Sequence, residues 1–218
     1  IKTAAYTKSI GSIEAAPERF QMEERFMNRL CMPDAQAAAR AEEYLEQVMS
    51  RGDSAGGVAE CIIDGLPAGI GEPVFEKLDA RLAHALMSIG GVKGVEIGDG
   101  FRASESVGSA NNDSFIKAGD NVITKRTNHS GGILGGISDG SRVVARAAFK
   151  PTPSISCVQR TVNRQGEEVE TVIKGRHDPI IVPRAVVVVE AMAAFTAADV
   201  LLCSMSSRLD RIQRFFGV

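Results

Sequence analysis

The sequence predicts a mixed fold of helices and strands, in which one long apolar helix lies between layers of other elements. The first observation is a run of almost entirely apolar residues at 185–203. The second is that helical and strand patterns alternate along the preceding chain, and the third is that glycine-rich turns separate them. A helix that is apolar nearly all round needs cover on every side, so we expect this one at the centre of the fold.

Amphipathic periodicity predicts two helices before the apolar run. The first begins after Asp34, a suitable N-cap residue, and continues to about Ser50. The second is predicted from Pro73, because proline suits a first helical turn, and its buried stripe extends from Val74 to Ile89. Strands are predicted within residues 1–13, 58–63, 92–97, 141–149 and 169–173.

Two stretches bear on domain organisation. Residues 98–120 are rich in Gly, Ser, Asn and Asp, which predicts a flexible loop or insertion within a single domain of residues 1–218. The run at 185–203 is long enough for a transmembrane helix. Its carboxylates, Glu190 and Asp199, argue against a membrane location because charge in hydrocarbon is costly.

Composition excludes some classes of function. The 25 basic and 27 acidic side chains give a net charge of −2, which argues against a general nucleic-acid binder. Trp is absent and aromatic residues make up 5%, so platforms for base stacking are not expected. The four cysteines lie far apart in sequence, without the spacing of a zinc site, and predict a reduced, cytoplasmic protein.

A glycine-rich segment is the first candidate for chemistry. Residues 128–138 read Asn-His-Ser-Gly-Gly-Ile-Leu-Gly-Gly-Ile-Ser, so two glycine pairs enclose two apolar residues. Glycine lets a ligand approach the backbone, but it equally serves tight turns and close packing. The pattern is neither the dinucleotide fingerprint nor a Walker loop. His129 suits ligand contact and packing equally well.

Two further segments present charged and hydroxyl groups. Residues 150–154 read Lys-Pro-Thr-Pro-Ser, which offers an ammonium and two hydroxyls to a phosphate; an exposed strand end is the alternative. In Arg176-His177-Asp178-Pro179 the arginine suits a carboxylate or phosphate, and Asp178 could accept a proton. The alternative there is a surface ion pair, with Asp178 capping a turn.

Together, these segments resemble the chorismate synthase family. Its members carry the same Gly-Gly-Ile-Leu-Gly-Gly-Ile-Ser, Lys-Pro-Thr-x-Ser and Gly-Arg-His-Asp-Pro motifs. Other segments that match the family are 52–54, 65–69, 71–75, 92–98, 184–186 and 190–192. The resemblance extends over nearly the whole chain.

The resemblance implies an α+β fold, a sandwich of central helices between antiparallel sheets that assembles as a homotetramer. It implies a carbon–oxygen lyase of the shikimate pathway, which removes phosphate from 5-enolpyruvylshikimate 3-phosphate by anti-1,4-elimination to give chorismate. Reduced FMN is the implied cofactor, with NADPH or an external reductant as the source of its electrons. No nucleic-acid or membrane partner is implied.

The family's motifs also imply roles for individual residues. Asp178 would manage the proton at flavin N5, and Arg176 would contact the flavin and the anionic substrate. Asn128 would also face the site. The residues implied to bind the flavin are Gly90, Gly91, Gly135, Lys150, Pro151, Thr152, Pro153, Ser154 and Arg176. We expect Gly135, Lys150 and Asp178 to share one hollow.

The family's N-terminal portion, with both of its catalytic histidines, is not found in these 218 residues. We therefore expect the fold to be truncated at the N-terminus and this chain alone to be inactive. A non-catalytic module that binds flavin or phosphate is the alternative, and a purely structural domain is the other.

Overall fold

The computed structural model describes residues 1–119, 123–175 and 177–217, which contain five α-helices and eleven strands. The helices are α1 (Ala35–Ser50), α2 (Leu78–Met87), α3 (Gly108–Asn111), α4 (Val182–Met205) and α5 (Leu209–Phe216). The strands are β1 (Lys2–Ile10), β2 (Ile13–Glu14), β3 (Gly57–Asp64), β4 (Val92–Ile97), β5 (Phe115–Lys117), β6 (Ile123–Lys125), β7 (Ile133–Leu134), β8 (Ile137–Ser138), β9 (Val143–Phe149), β10 (Gln159–Val162) and β11 (Glu168–Thr171).

Five of these strands form the main sheet, in the order β2-β1-β3-β9-β4. The other strands form three antiparallel hairpins, β5-β6, β7-β8 and β10-β11. The chain divides into two compact units. Unit 1 contains residues 1–5, 60–147 and 187–218, and unit 2 contains residues 6–59 and 148–186.

Helix α1 begins where the sequence predicts. The Asp34 side chain accepts hydrogen bonds from the backbone N–H groups of Gln36 and Ala37, at 3.0 and 3.1 Å. Asp34 is 1% exposed and also pairs with the Arg19 guanidinium at 3.0 Å. The N-cap predicted from sequence is confirmed, and the structure adds an ion pair that fixes it. The buried face of the helix consists of Ala37, Ala38, Ala41, Leu45 and Val48.

Helix α2 begins later than predicted. It starts at Leu78 rather than at Pro73, because Val74 has a φ of +64°, which no α-helix accommodates. Val74 is 68% exposed and so is not part of the buried stripe. The middle of the stripe is confirmed, since Leu78, Leu82 and Leu86 are fully buried. Ala85 is only half-buried, and Ile89, also half-buried, lies beyond the end of the helix at Met87.

The strand predicted before Lys150 is confirmed as β9, in which buried residues alternate with partly exposed ones. Within 98–120, predicted to be a loop, the structure has a 3-10 turn at Gly100–Glu105, helix α3 and strand β5. Strand β10 was not predicted, because a short strand on the surface carries too few apolar residues for a clear period. Helix α5 was not predicted either, although its apolar residues recur at helical spacing: Leu209, Ile212, Phe215 and Phe216.

The long apolar helix exists as α4, but the expectation that it is covered on every side is wrong for this chain. Its exposed apolar side chains are Val187, Val188, Phe195, Leu202 and Met205. The helix is long and apolar enough to span a membrane, a test that core helices also pass. Both carboxylates of α4 are bonded to other residues of the chain. Glu190 accepts a hydrogen bond from the Ala5 N–H at 2.8 Å, and Asp199 pairs with Arg81.

Candidate functional site

Three of the four glycines in the glycine-rich segment are explained by close packing within unit 1. A Cβ on Gly131 would lie 2.4 Å from the backbone nitrogen of Gly98, and one on Gly132 would lie 2.5 Å from the Arg142 carbonyl. A Cβ on Gly136 would meet the Lys77 side chain at 2.3 Å. These distances are far below van der Waals contact, so only glycine fits without rearrangement.

Gly135 differs from its neighbours. It lies at the turn of the β7-β8 hairpin with a φ of +59°, a conformation that favours glycine. A Cβ there would meet no atom within 4 Å. The Gly135 backbone therefore borders open space, which is the property expected where a ligand approaches the main chain.

The side chain of Asn128 holds the turn that precedes these glycines. Its Oδ1 accepts hydrogen bonds from the Gly132 N–H at 2.8 Å and the Lys125 ammonium at 3.2 Å. Its Nδ2 donates to the Arg142 carbonyl at 2.8 Å. These bonds occupy both ends of the amide, so the structure gives Asn128 a role in packing, and its predicted place facing the site stays a prediction.

Gly90 and Gly91 follow helix α2, as the sequence predicts. Gly91 has a φ of +88°, and a Cβ on Gly90 would meet nothing within 4 Å. They make the tight connection to β4, which begins at Val92. Their role in flavin binding stays a prediction.

In unit 2, the turn after β9 presents polar groups that are not used within the described chain. Lys150 is exposed and forms no ion pair with any described residue. The Thr152 hydroxyl is buried and has no hydrogen-bond partner among the described residues. A buried, unpaired hydroxyl costs about 1–3 kcal/mol, so a ligand oxygen at this position would be stabilising. The turn therefore fits the phosphate of a cofactor.

A short loop after α1 joins this turn to the segment that contains Asp178. The Ser54 hydroxyl donates to the Thr152 carbonyl at 2.7 Å. The N–H of the next residue, Ala55, donates to the Pro179 carbonyl at 2.8 Å. Two of the predicted segments are thus brought together within unit 2. The role of Ser54 was not predicted from the sequence, although the Gly-Asp-Ser segment that contains it matches the family.

Asp178 lines a hollow of about 620 Å³ in unit 2. Its Oδ2 accepts a hydrogen bond from Arg184 Nη1 at 2.6 Å, and this ion pair is the alternative that the sequence left open for Asp178. The other side of the hollow is formed by α1, through Leu45 and Met49 among others. Arg176 lies outside the described residues. The convergence of Gly135 with Lys150 and Asp178 stays a prediction.

These observations define an α+β protein with an open glycine turn in unit 1. In unit 2 it has a turn whose Lys150 ammonium and Thr152 hydroxyl have no ionic or hydrogen-bond partner among the described residues. Comparison with known proteins identifies the family. The family model described as chorismate synthase matches residues 1–202. The chain therefore belongs to the chorismate synthase family.

Individual relatives agree. The chain is 58% identical, over 216 residues, to a chorismate synthase of Lachnoclostridium phytofermentans, covering 99% of this chain and 59% of that protein. It is 53% identical over 207 residues to one of Archaeoglobus fulgidus, covering 93% of this chain and 57% of that protein.

A solved structure titled "Crystal Structure of Chorismate Synthase" superposes with a TM-score of 0.77 at 29% identity, covering 99% of this chain and 61% of that one. The predicted α+β fold class is confirmed by this likeness. The chain spans about three fifths of the length of the curated relatives that it matches.

Proposed function

We propose that a protein containing this chain is a chorismate synthase that uses reduced FMN to convert 5-enolpyruvylshikimate 3-phosphate to chorismate. In this anti-1,4-elimination, the C–O bond to phosphate and one ring C–H bond break, and the ring gains one double bond. Phosphate and a proton leave, so the reaction has no net oxidation. It is the last common step in the biosynthesis of aromatic amino acids.

The single observation that carries this proposal is the family match over residues 1–202. The cofactor side is supported by the buried, unpaired hydroxyl of Thr152 and by the open backbone at Gly135. We propose that Lys150, Thr152 and Ser154 bind the FMN phosphate through an ammonium and hydroxyl donors. The cofactor approaches the backbone at Gly135, and Gly90 and Gly91 line the cofactor.

When bound, reduced FMN would supply an electron and recover it at the end of the cycle. The chain's own residues bind anions and manage protons. Asp178 accepts the proton at the position of flavin N5, and Arg176 attracts the anionic substrate. The ion pair to Arg184 holds the Asp178 carboxylate in a fixed orientation, which suits a group that takes part in proton transfer.

We propose further that the whole protein is a cytoplasmic homotetramer, and that these 218 residues alone do not turn over. The expected inactivity of the 218 residues rests on the family's catalytic histidine segments, which this sequence does not contain. Formation of chorismate by the 218-residue chain under anaerobic conditions, with FMN reduced by dithionite, would contradict it.

Titration with FMN tests the binding part directly. Quenching of FMN fluorescence by the 218-residue chain supports a flavin site, and Thr152→Val should weaken that binding. Val fills nearly the same volume without the hydroxyl. Thr161→Val is the matched control, because Thr161 lies on the exposed β10-β11 hairpin. Equal binding by the two variants would exclude Thr152 as a contact.

A non-catalytic module for flavin or phosphate is the second candidate, favoured by the 2.6 Å ion pair that gives Asp178 a structural task. Asp178→Asn in a full-length relative discriminates between them. We expect FMN binding to persist and chorismate formation to be lost, because the amide cannot accept the proton. Unchanged turnover would show that Asp178 serves only in the ion pair with Arg184 and has no part in catalysis.

A further inference from the structure

One buried carboxylate in unit 1 has no task in the proposed reaction. Asp113 lies between α3 and β5 and is 8% exposed. The predicted flexible loop at 98–120 contains it, so no sequence pattern marked it as a site. Burial of a charge is costly unless the charge is fully paired, so the groups around the Asp113 carboxylate must pair with it.

All the neighbours that bond to Asp113 donate. Its Oδ1 accepts from the Thr127 hydroxyl at 2.7 Å and from the His129 N–H at 2.8 Å. Its Oδ2 accepts from the Ser130 N–H at 2.9 Å and from the Ser130 hydroxyl at 2.6 Å. The Lys125 ammonium lies 3.3 Å from the same oxygen. Only an ionised carboxylate accepts at both ends, so asparagine would place an NH₂ group against donors.

The charge state agrees with this geometry. Burial raises the pKa of the Asp113 carboxyl, but the bonds from Ser130, Thr127 and His129 outweigh burial and hold that pKa well below its usual range. Asp113 is therefore ionised throughout the physiological range of pH. The His129 ring also lies close, with Nδ1 3.0 Å from Asp113 Oδ1, although the angle is not that of a hydrogen bond.

Asp113 holds the turn that leads into the glycine-rich segment. The bonds from His129 and Ser130 fix two successive backbone N–H groups of that turn. Asn128 then accepts from Gly132, through its Oδ1 at 2.8 Å, and from Gly131, through its carbonyl at 3.0 Å. The Lys125 ammonium donates to both Asp113 Oδ2 and Asn128 Oδ1, so hydrogen bonds connect Asp113 to the first glycine pair.

A second carboxylate contacts the same lysine without contacting this turn through its side chain. Asp139 accepts from the Lys125 ammonium at 2.6 Å and from the Ser141 N–H at 2.8 Å. The Asp139 side chain is 7% exposed, against 3% for that of Asp113, and both carboxylates contact the Lys125 ammonium. Loss of either carboxylate leaves Lys125 with one acidic partner, but only Asp113 bonds to residues 127–130.

We propose that Asp113 is a positioning residue, which holds the turn at 128–132 in place so that the Gly135 backbone is presented to the cofactor. This inference rests on the proposed function for its last step. Asp113 itself need not touch FMN. Its effect passes through the His129 and Ser130 amides.

Amide hydrogen exchange of the ¹⁵N-labelled 218-residue chain, followed by NMR, tests the structural step without any ligand. In Asp113→Asn we expect the His129 and Ser130 amides to exchange at least about tenfold faster, since bonds to a charged acceptor are lost. In the matched control Asp139→Asn we expect these two rates to change by less than about threefold. Equal rates in the two variants would overturn the proposal.

If Asp113→Asn does not fold, Thr127→Val replaces it. This variant removes one donor to Asp113 and changes neither charge nor volume greatly, so the chain remains folded. We expect faster exchange confined to His129 and Ser130, and unchanged rates there would refute the positioning role.

FMN titration of the same variants tests the last step. We expect Asp113→Asn to raise the Kd for FMN by at least about tenfold and Asp139→Asn to leave it within about threefold. If the amide exchange rates change but the Kd for FMN does not, Asp113 acts only in the fold, and the proposal is overturned. Absence of FMN binding by the unmodified chain would count against the cofactor site, while the exchange rates would still decide whether Asp113 holds the turn.

Discussion

The hydroxyl of Ser54 donates a 2.7 Å hydrogen bond to the carbonyl of Thr152, a residue 98 positions further along the chain. The adjacent Ala55 N–H bonds to the Pro179 carbonyl, so one short loop fixes both polar segments of unit 2. The loop is itself held by glycine, since a Cβ on Gly56 would lie 2.6 Å from the Phe149 carbonyl. The Lys150–Ser154 turn therefore depends on a third segment remote in sequence.

Ser54→Ala should loosen that turn. Loss of one partly buried hydrogen bond should lower the free energy of unfolding by about 0.5–1.5 kcal/mol, as measured in urea. The matched control is Ser50→Ala, whose hydroxyl bonds to the Gln47 carbonyl within α1 and to no other residue in the described part of the chain. We expect the control to change stability by less than about 0.5 kcal/mol. Equal effects would show that the bond to Thr152 contributes nothing specific.

Two glycine substitutions should separate packing from ligand approach. Gly135→Ala and Gly132→Ala both place a Cβ on a backbone of positive φ, which costs about 1–2 kcal/mol. Only Gly132→Ala also forces a Cβ to within 2.5 Å of the Arg142 carbonyl, which adds about 1–3 kcal/mol. We expect urea unfolding to rank Gly132→Ala as the less stable variant.

Flavin binding should rank these variants differently once stability is allowed for. Measured where both are fully folded, Gly135→Ala should weaken FMN binding more, because its methyl group projects into the open space beside the turn. If Gly135→Ala binds FMN as well as the unmodified chain, Gly135 is not a point of cofactor approach.

Asp34 should make the fold sensitive to acid. Burial raises the pKa of its carboxyl, but the bond from Arg19 and those from the Ala16 and Ala37 amides outweigh burial and lower that pKa from 3.8 to about 2. A pKa lower in the folded chain than in the unfolded chain means stability that is present above pH 4 and lost as the pH falls from about 4 to about 2. The change corresponds to about 2 kcal/mol.

Urea unfolding of the unmodified chain and of Asp34→Asn, at several pH values from 6 to about 2, measures this contribution. The difference in stability between the two should be largest at pH 6 and should shrink as the Asp34 carboxylate is protonated. A constant difference across the range would show that the Asp34 charge does not contribute. Asp53→Asn is a suitable control because, among the residues that the structure describes, its exposed carboxylate bonds only to the neighbouring Ser54 N–H.

Two leucines on helices of unit 1 test the exposure of α4. Leu82 is 0% exposed on α2, and Leu202 is 64% exposed on α4. Leu82→Ala should lower the free energy of unfolding by about 2–5 kcal/mol, because it removes buried methyl groups and leaves a cavity. Leu202→Ala should cost less than about 0.5 kcal/mol in the 218-residue chain. A comparable loss in the two variants would show that this face of α4 is covered.

Local sequence determined those elements whose physical cause is local. The cap of α1 followed from Asp34, because an N-cap bonds to amides only two and three residues away. The strand β9 followed from its alternating side chains, and the family followed from long motifs that need no structure to be recognised. The start of α2 did not follow, because Val74 adopts its positive φ in a loop whose end is tied to the Gly136 carbonyl through the Leu78 N–H.

The sequence by itself therefore determined the class of fold, the family and the polar segments that are candidates for cofactor binding. Only the tertiary structure decided which glycine faces open space, that Ser54 joins the Thr152 and Pro179 segments, and that Asp113 holds the turn before the glycines. The physical reason is that these features depend on donors and acceptors far apart in the chain. Neither residue type nor periodicity records which of them will meet.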